Sequence, residues 1–170
     1  MLGIPFSIMP ADIDETPKPG EAPEAFAIRI AREKAIEVSG KVSQSLVLAA
    51  DTIVTIDGEI LGKPSDPKHA AAMLQRLSGR KHSVYTAICM INQLRGETFE
   101  ELDRTDVWFS SIDEAQIQDY IRREHVMDKA GAYAIQGFAS VHIPKIEGSF
   151  SNVMGLPLHL VYDLLLRAGT

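Results

Sequence analysis

Asp51, Thr52 and Lys63 fall within one stretch, Leu46–Pro64 (LVLAADTIVTIDGEILGKP), which supplies an acid, a hydroxyl and an ammonium group. The stretch opens as an apolar run of the kind that forms a strand buried on both faces, and Asp51 interrupts it. A carboxylate in such a run is costly unless a cation or metal meets it. Asp57-Gly58 signals a hairpin, because both central positions of a type I′ turn need positive φ. A hairpin there returns Lys63 towards the level of Asp51 and Thr52. Further acids (Glu15, Asp128) and lysines (Lys34, Lys129) lie on other elements. Acids that hold a divalent ion or take a proton from water, beside lysines that neutralise oxygens, suit a phosphate ester or anhydride. The usual nucleophile and metal signatures are missing: G-x-S-x-G, a Gly-rich loop ending in Lys-Ser/Thr, H-E-x-x-H and a Cys cluster.

The elements that must position these groups follow from local pattern. Gly3 marks a turn within Met1–Pro10, and Ile4–Met9 reads as a short strand. Asp12–Gly20 is a polar loop whose Asp12, Asp14 and Glu15 are either a solvated acidic face or ligands for a hard cation. Pro23 starts a helix to about Ser39, with Phe26, Ala27, Ile30, Ala31, Ala35 and Val38 on its buried face. Lys34 shares that face, either snorkelling at its edge or turned into a cleft. Asp66-Pro67 caps a second helix that stops at Ser78-Gly79. His82–Asn92 and Thr98–Phe109 read as an antiparallel pair in an otherwise mixed sheet. Ser111 with Glu114 resembles a capping box for a helix to about Glu124 that buries Ile112, Ala115 and Ile121. Met127–Gly137 is a structured loop or a plain glycine-containing connector, Ala139–Ile143 a strand and Lys145–Ser149 a turn. Asn152–Pro157 leads into a last helix with Leu160, Val161, Leu164 and Leu165 as its core stripe.

A chain of 170 residues, 45% hydrophobic and 24% charged, suits one globular domain. The net charge of −6 argues against a nucleic acid partner. No apolar run approaches the about 18–20 residues of a membrane span, and no signal peptide opens the chain. The lone Cys89 cannot form an internal disulfide, so a reducing compartment, the cytoplasm, is the expected location. Cys89 itself reads as a buried small hydrophobe.

Seven stretches carry a resemblance: DIDETP, RIAREKA, AADTIV, DGEILGKP, RLSGRKHSVYTA, MDKAGAYAIQG and IEGSFSNVMGLPL. In order and spacing the chain resembles the Maf family, septum-inhibition-related nucleoside triphosphate pyrophosphatases. The resemblance implies an elongated α/β fold with a mixed sheet, two lobes around a central cleft, and a homodimer in many members. It also implies hydrolysis of a nucleoside triphosphate to the monophosphate and pyrophosphate with a divalent cation, Mg or Mn. Asp51 matches the family's proton acceptor, Glu15 an acidic residue that holds metal with it, and Lys34 and Lys63 the phosphate-neutralising lysines. Thr52 and Gln136 match positions tied to base selectivity, and the Asp51-Thr52 pair is similar to the branch that acts on dTTP and UTP. Clearance of non-canonical pyrimidine nucleotides would use the same site. Family members begin with a strand and an S-x-S-P-R-R loop that is not found in these 170 residues. By that comparison the chain is a single Maf-like domain, residues 1–170, truncated at its N-terminus. The loss of two arginines would weaken phosphate binding, and the alternative reading is a catalytically weak nucleotide-binding or regulatory protein linked to septum formation.

Overall fold

In the computed structural model, which describes residues 3–169, a five-stranded sheet of order β2-β1-β3-β4-β5 forms the centre. Its strands are β1 (Leu46–Ile56), β2 (Glu59–Leu61), β3 (Lys81–Asn92), β4 (Glu97–Trp108) and β5 (Lys145–Glu147). The helices are α1 (Pro23–Ser39), α2 (Pro67–Leu77), α3 (Glu114–Arg123), α4 (Phe150–Val153) and α5 (Leu158–Ala168). The α/β class is as expected. Every pairing among the described strands is antiparallel, however, so the sheet is not mixed.

The period of two along β1 sorts its side chains between two cores. Val47 and Ile53 face α1, where they pack with Phe26, Ala27, Ile30 and Ala31. Val54 and Ile56 face the opposite side, with α2 and Ile117 of α3. A third cluster joins Ile88 and Met90 of β3 to Val161 and Leu164 of α5. Asp51 therefore belongs to the α1 face and Thr52 to the other. The start of β1 is less covered than the apolar run suggested, since Leu48 is exposed. Asp57 (φ 56°) and Gly58 (φ 79°) form the expected hairpin turn, and β2 pairs only with Val54–Ile56. On that side of β1, the edge from Leu46 to Ile53 has no strand partner among the described residues.

Helix α1 has the expected limits, and α2 is capped by Asp66, which accepts from the His69 N–H at 2.8 Å. Other expectations need correction. Ile4–Met9 forms no strand, and Ile4, Phe6 and Ile8 are exposed, because no described strand offers that backbone a ladder. Met1 and Leu2, read as part of the same segment, lie outside the described residues. Helix α3 starts two residues later than its Ser111 reading: Asp113 and Gln116 form the capping box. Ser78 is the reason. Its hydroxyl donates to the Ile112 carbonyl at 3.0 Å and accepts from the Ile112 N–H at 2.8 Å, which holds that backbone outside the helix. Helix α3 consequently buries Ile117 and Tyr120, whereas Ala115 is exposed. Ala139–Ile143 is no strand, and Gly137–His142 winds as a 3₁₀ helix. Lys145–Glu147, expected as a turn, pairs with Asp106–Trp108 as β5. Of the α5 stripe, Val161 and Leu164 are fully buried and Leu160 and Leu165 only partly.

Candidate active site

Residues 50–54 of β1 all line one open cleft of about 580 Å³. Consecutive strand residues point to opposite faces, so the cleft wraps the free edge of β1 and reaches both. Glu15, Lys34, Asp51, Thr52, Lys63 and Gln136, all anticipated from the sequence, line it together. Asp128 and Lys129 join them at the rim as an ion pair of 2.8 Å.

The acid end is built on the α1 face. Lys34 Nζ lies 2.7 Å from Asp51 Oδ1 and 2.9 Å from Glu15 Oε1, so it turns into the cleft instead of snorkelling. Burial pushes the Asp51 carboxyl above its ordinary pKa; Lys34 and Lys63 pull it down less, and Glu15 pushes it further up. For Lys34, burial disfavours the charge, but its bonds to Asp51 and Glu15 outweigh that and hold it above the ordinary lysine value. The loop that presents Glu15 is tied at both ends. Asp14 Oδ1 accepts from the Thr16 N–H at 2.9 Å and from the Thr16 hydroxyl at 2.6 Å. Arg29 of α1 binds Glu21 at 2.6 Å and the Thr16 carbonyl at 3.1 Å. Asp14 is thus spent on its own turn and Asp12 is exposed, which leaves Glu15 as the acid of that loop facing the cleft. No group of three or more His, Cys, Asp or Glu among the described residues is arranged to hold a metal. Asp51 and Glu15 form a two-carboxylate set, which suits a hard cation that draws its remaining ligands from a phosphate and water.

The other wall comes from the loop after α3. The Gly131 N–H donates to the Gly62 carbonyl at 3.1 Å and joins this loop to the chain just before Lys63. A Cβ at Gly131 would stand 3.0 Å from Val54 Cγ1, and φ is +66°, so only glycine suits this approach. Tyr133 lines the cleft and shares a 2.7 Å hydrogen bond with His82 Nε2, both packed edge-on against Phe109. His82 is 2% exposed and its Nδ1 has no partner among the described residues. Burial therefore pulls its pKa down to about 4 from an ordinary 6.5. Below pH 6.5 the unfolded chain takes a proton that the folded chain refuses. Stability from this group is thus complete above pH 6.5 and falls until about pH 4, by about 3 kcal/mol in all. Urea midpoints measured across that range should show the fall in the parent and lose most of it in His82→Gln.

Thr52 reaches the cleft from the face opposite Asp51. Its Oγ1 lies 2.9 Å from Oγ1 of Thr86, its direct partner on β3. Thr86 is fully buried and donates to the Asn152 carbonyl at 2.9 Å. Gly155 covers Thr52: a Cβ there would come within 3.3 Å of Thr52 Oγ1. Neither Thr86 nor Asn152 stood out in the sequence. Both lie in stretches that carry the family resemblance, RLSGRKHSVYTA and IEGSFSNVMGLPL, and the further signal was a polar residue where strand or core packing calls for an apolar one.

The family model described as Maf-like protein matches residues 1–168. The dTTP/UTP pyrophosphatase of Syntrophomonas wolfei is 47% identical over 169 residues, covering 99% of this chain and 89% of that protein. Those of Myxococcus xanthus (48% over 168 residues, 99% and 84%) and Syntrophus aciditrophicus (42% over 170 residues, 100% and 83%) are similar throughout. With the family model matching nearly end to end and relatives 42–48% identical over 99–100% of its length, the chain belongs to the Maf family.

Proposed function

We propose that the chain hydrolyses dTTP and UTP to the monophosphate and pyrophosphate. The observation that carries this reading is the placing of a buried carboxylate, Asp51, with Thr52 and Gln136 in one cleft beside Lys34 and Lys63. Asp51 takes a proton from water as the water oxygen bonds to the α-phosphorus and the bond to the departing pyrophosphate oxygen breaks. A carboxyl with a raised pKa is the better base, provided that it is still ionised at working pH. Lys63 makes no ion pair among the described residues and is free to meet phosphate oxygens; Lys34 holds Asp51 in place. Asp51 and Glu15 would hold a divalent cation, Mg or Mn, whose charge offsets that of the triphosphate when bound. The names of the relatives above support the choice of dTTP and UTP.

A cytoplasmic homodimer with no nucleic acid or membrane partner completes this reading. In its support, Cys89 is a buried free thiol whose pKa burial pushes up to about 11. Tyr162 and Leu166 leave an apolar strip exposed along α5. No helix among the described residues is long and apolar enough to cross a membrane.

Pyrophosphate release from dTTP, UTP, CTP, ATP and GTP, with Mg²⁺ or Mn²⁺, tests the reaction. The expected result is pyrophosphate from dTTP and UTP ahead of the rest. Release of inorganic phosphate alone would overturn the cleavage position. Nucleotide binding without turnover would instead favour the catalytically weak, regulatory protein.

A further inference from the structure

A threonine hydroxyl has one hydrogen and two lone pairs, so its partners decide what it can offer a ligand. Thr86 spends its hydrogen on the Asn152 carbonyl at 2.9 Å. That carbonyl is held in place, since it also accepts from the Gly155 N–H at 2.8 Å. The Asn152 side-chain amide is anchored too, donating to the Val84 carbonyl at 3.1 Å and to Thr105 Oγ1 at 2.9 Å. With its hydrogen committed, Thr86 meets Thr52 only as an acceptor, and the 2.9 Å contact between them is a donation from Thr52. The hydrogen of Thr52 is thereby directed into the sheet, and its lone pairs are what remain for the cleft.

We propose that Thr86, anchored on the Asn152 carbonyl, is a positioning residue that fixes the Thr52 hydroxyl as an acceptor towards the base. This fixed acceptor selects the ring N3–H of uracil or thymine over cytosine, whose N3 carries no hydrogen and would set lone pair against lone pair. Gln136 is not held to that choice by the protein. Its side chain is exposed, no hydrogen bond among the described residues orients it, and a rotated amide offers either a donor or an acceptor. The inference rests on the reading of the cleft as a pyrimidine nucleotide site. It adds a residue outside the cleft and the direction of each hydrogen in the chain of bonds.

The test compares the parent with Thr86→Val, Thr86→Ala and Thr86→Ser. Removal of the Thr86 hydroxyl leaves the Asn152 carbonyl still paired with Gly155, and frees Thr52 to donate into the cleft. The UTP-over-CTP ratio of kcat/KM is expected to fall about tenfold in the valine and alanine variants and to stay parental in the serine variant. A purely structural role would lower both substrates together and leave the ratio unchanged, which would overturn the proposal if either hydroxyl-free variant melts as a folded protein. Binding of non-hydrolysable α,β-imido UTP and CTP separates this inference from the proposed reaction. A uridine preference that vanishes in Thr86→Val upholds the proposal even if no nucleotide is turned over. Equal binding of the two analogues by the parent overturns it even if pyrophosphate is released.

Discussion

Replacement of Asp51 by asparagine is expected to cut pyrophosphate release about a thousandfold and to leave the fold intact. The amide keeps the shape of the carboxylate and an oxygen to accept from Lys34, now 2.7 Å from Asp51 Oδ1. What it loses is the capacity to take a proton and the charge with which Asp51 would hold a cation beside Glu15. Two stability effects oppose each other. The variant no longer buries a charge whose ionisation the site disfavours, as the raised pKa of Asp51 shows. It also gives up part of the attraction that holds Lys34, although Glu15 at 2.9 Å remains. The melting temperature should therefore move little. Steady-state rates on dTTP and UTP, with a melting curve for each protein, check both halves. Turnover above a tenth of the parental rate would place the base elsewhere.

Asn152→Ala carries the largest expected cost in stability, about 3 kcal/mol. Asn152 is fully buried, and its amide nitrogen ties β3 at the Val84 carbonyl to β4 at Thr105 Oγ1. Alanine leaves a small void and removes a donor from two buried oxygens. One relief partly offsets this, because Asn152 Oδ1 has no partner among the described residues and its burial is itself a penalty. Thr105 keeps its bonds with Ser149, to the carbonyl at 3.1 Å and from the N–H at 3.0 Å, so local collapse is not expected. The loss should appear as a lower urea midpoint with an unchanged slope. A shift of less than 1 kcal/mol would mean that water or a rearranged neighbour replaces the amide.

The parts of this architecture legible in the sequence are those governed by near neighbours. Asp57-Gly58 dictates its turn through backbone sterics, so the return of Lys63 towards Asp51 could be foreseen. Asp66-Pro67 announces its helix in the same way. The alternation along β1 suffices to put Asp51 on one face, and helical spacing puts Lys34 on the face of α1 that meets it. The failures have distant causes. The start of α3 depends on Ser78, which is far away in the chain yet binds Ile112 in both directions. Ala139–Ile143 (ASVHI) alternates apolar and polar residues as a half-buried strand does, and only its surroundings wind it into a 3₁₀ helix. The bond from Thr86 to Asn152 spans 66 residues, and no periodicity marks it.

The opposite orientations of Asp51 and Thr52 also bear on how such a protein can change. On the proposed reading, cleavage and choice of base fall to adjacent residues in separate packing environments, one against α1 and the other towards Asn152. New nucleobase preferences can therefore accumulate at Thr52 and behind it without touching the groups around Lys34. An insertion that slipped β1 by a single residue would be ruinous, because it would exchange the two roles at once. Diversification by point substitution is thus open to this strand, and diversification by changes in length is closed.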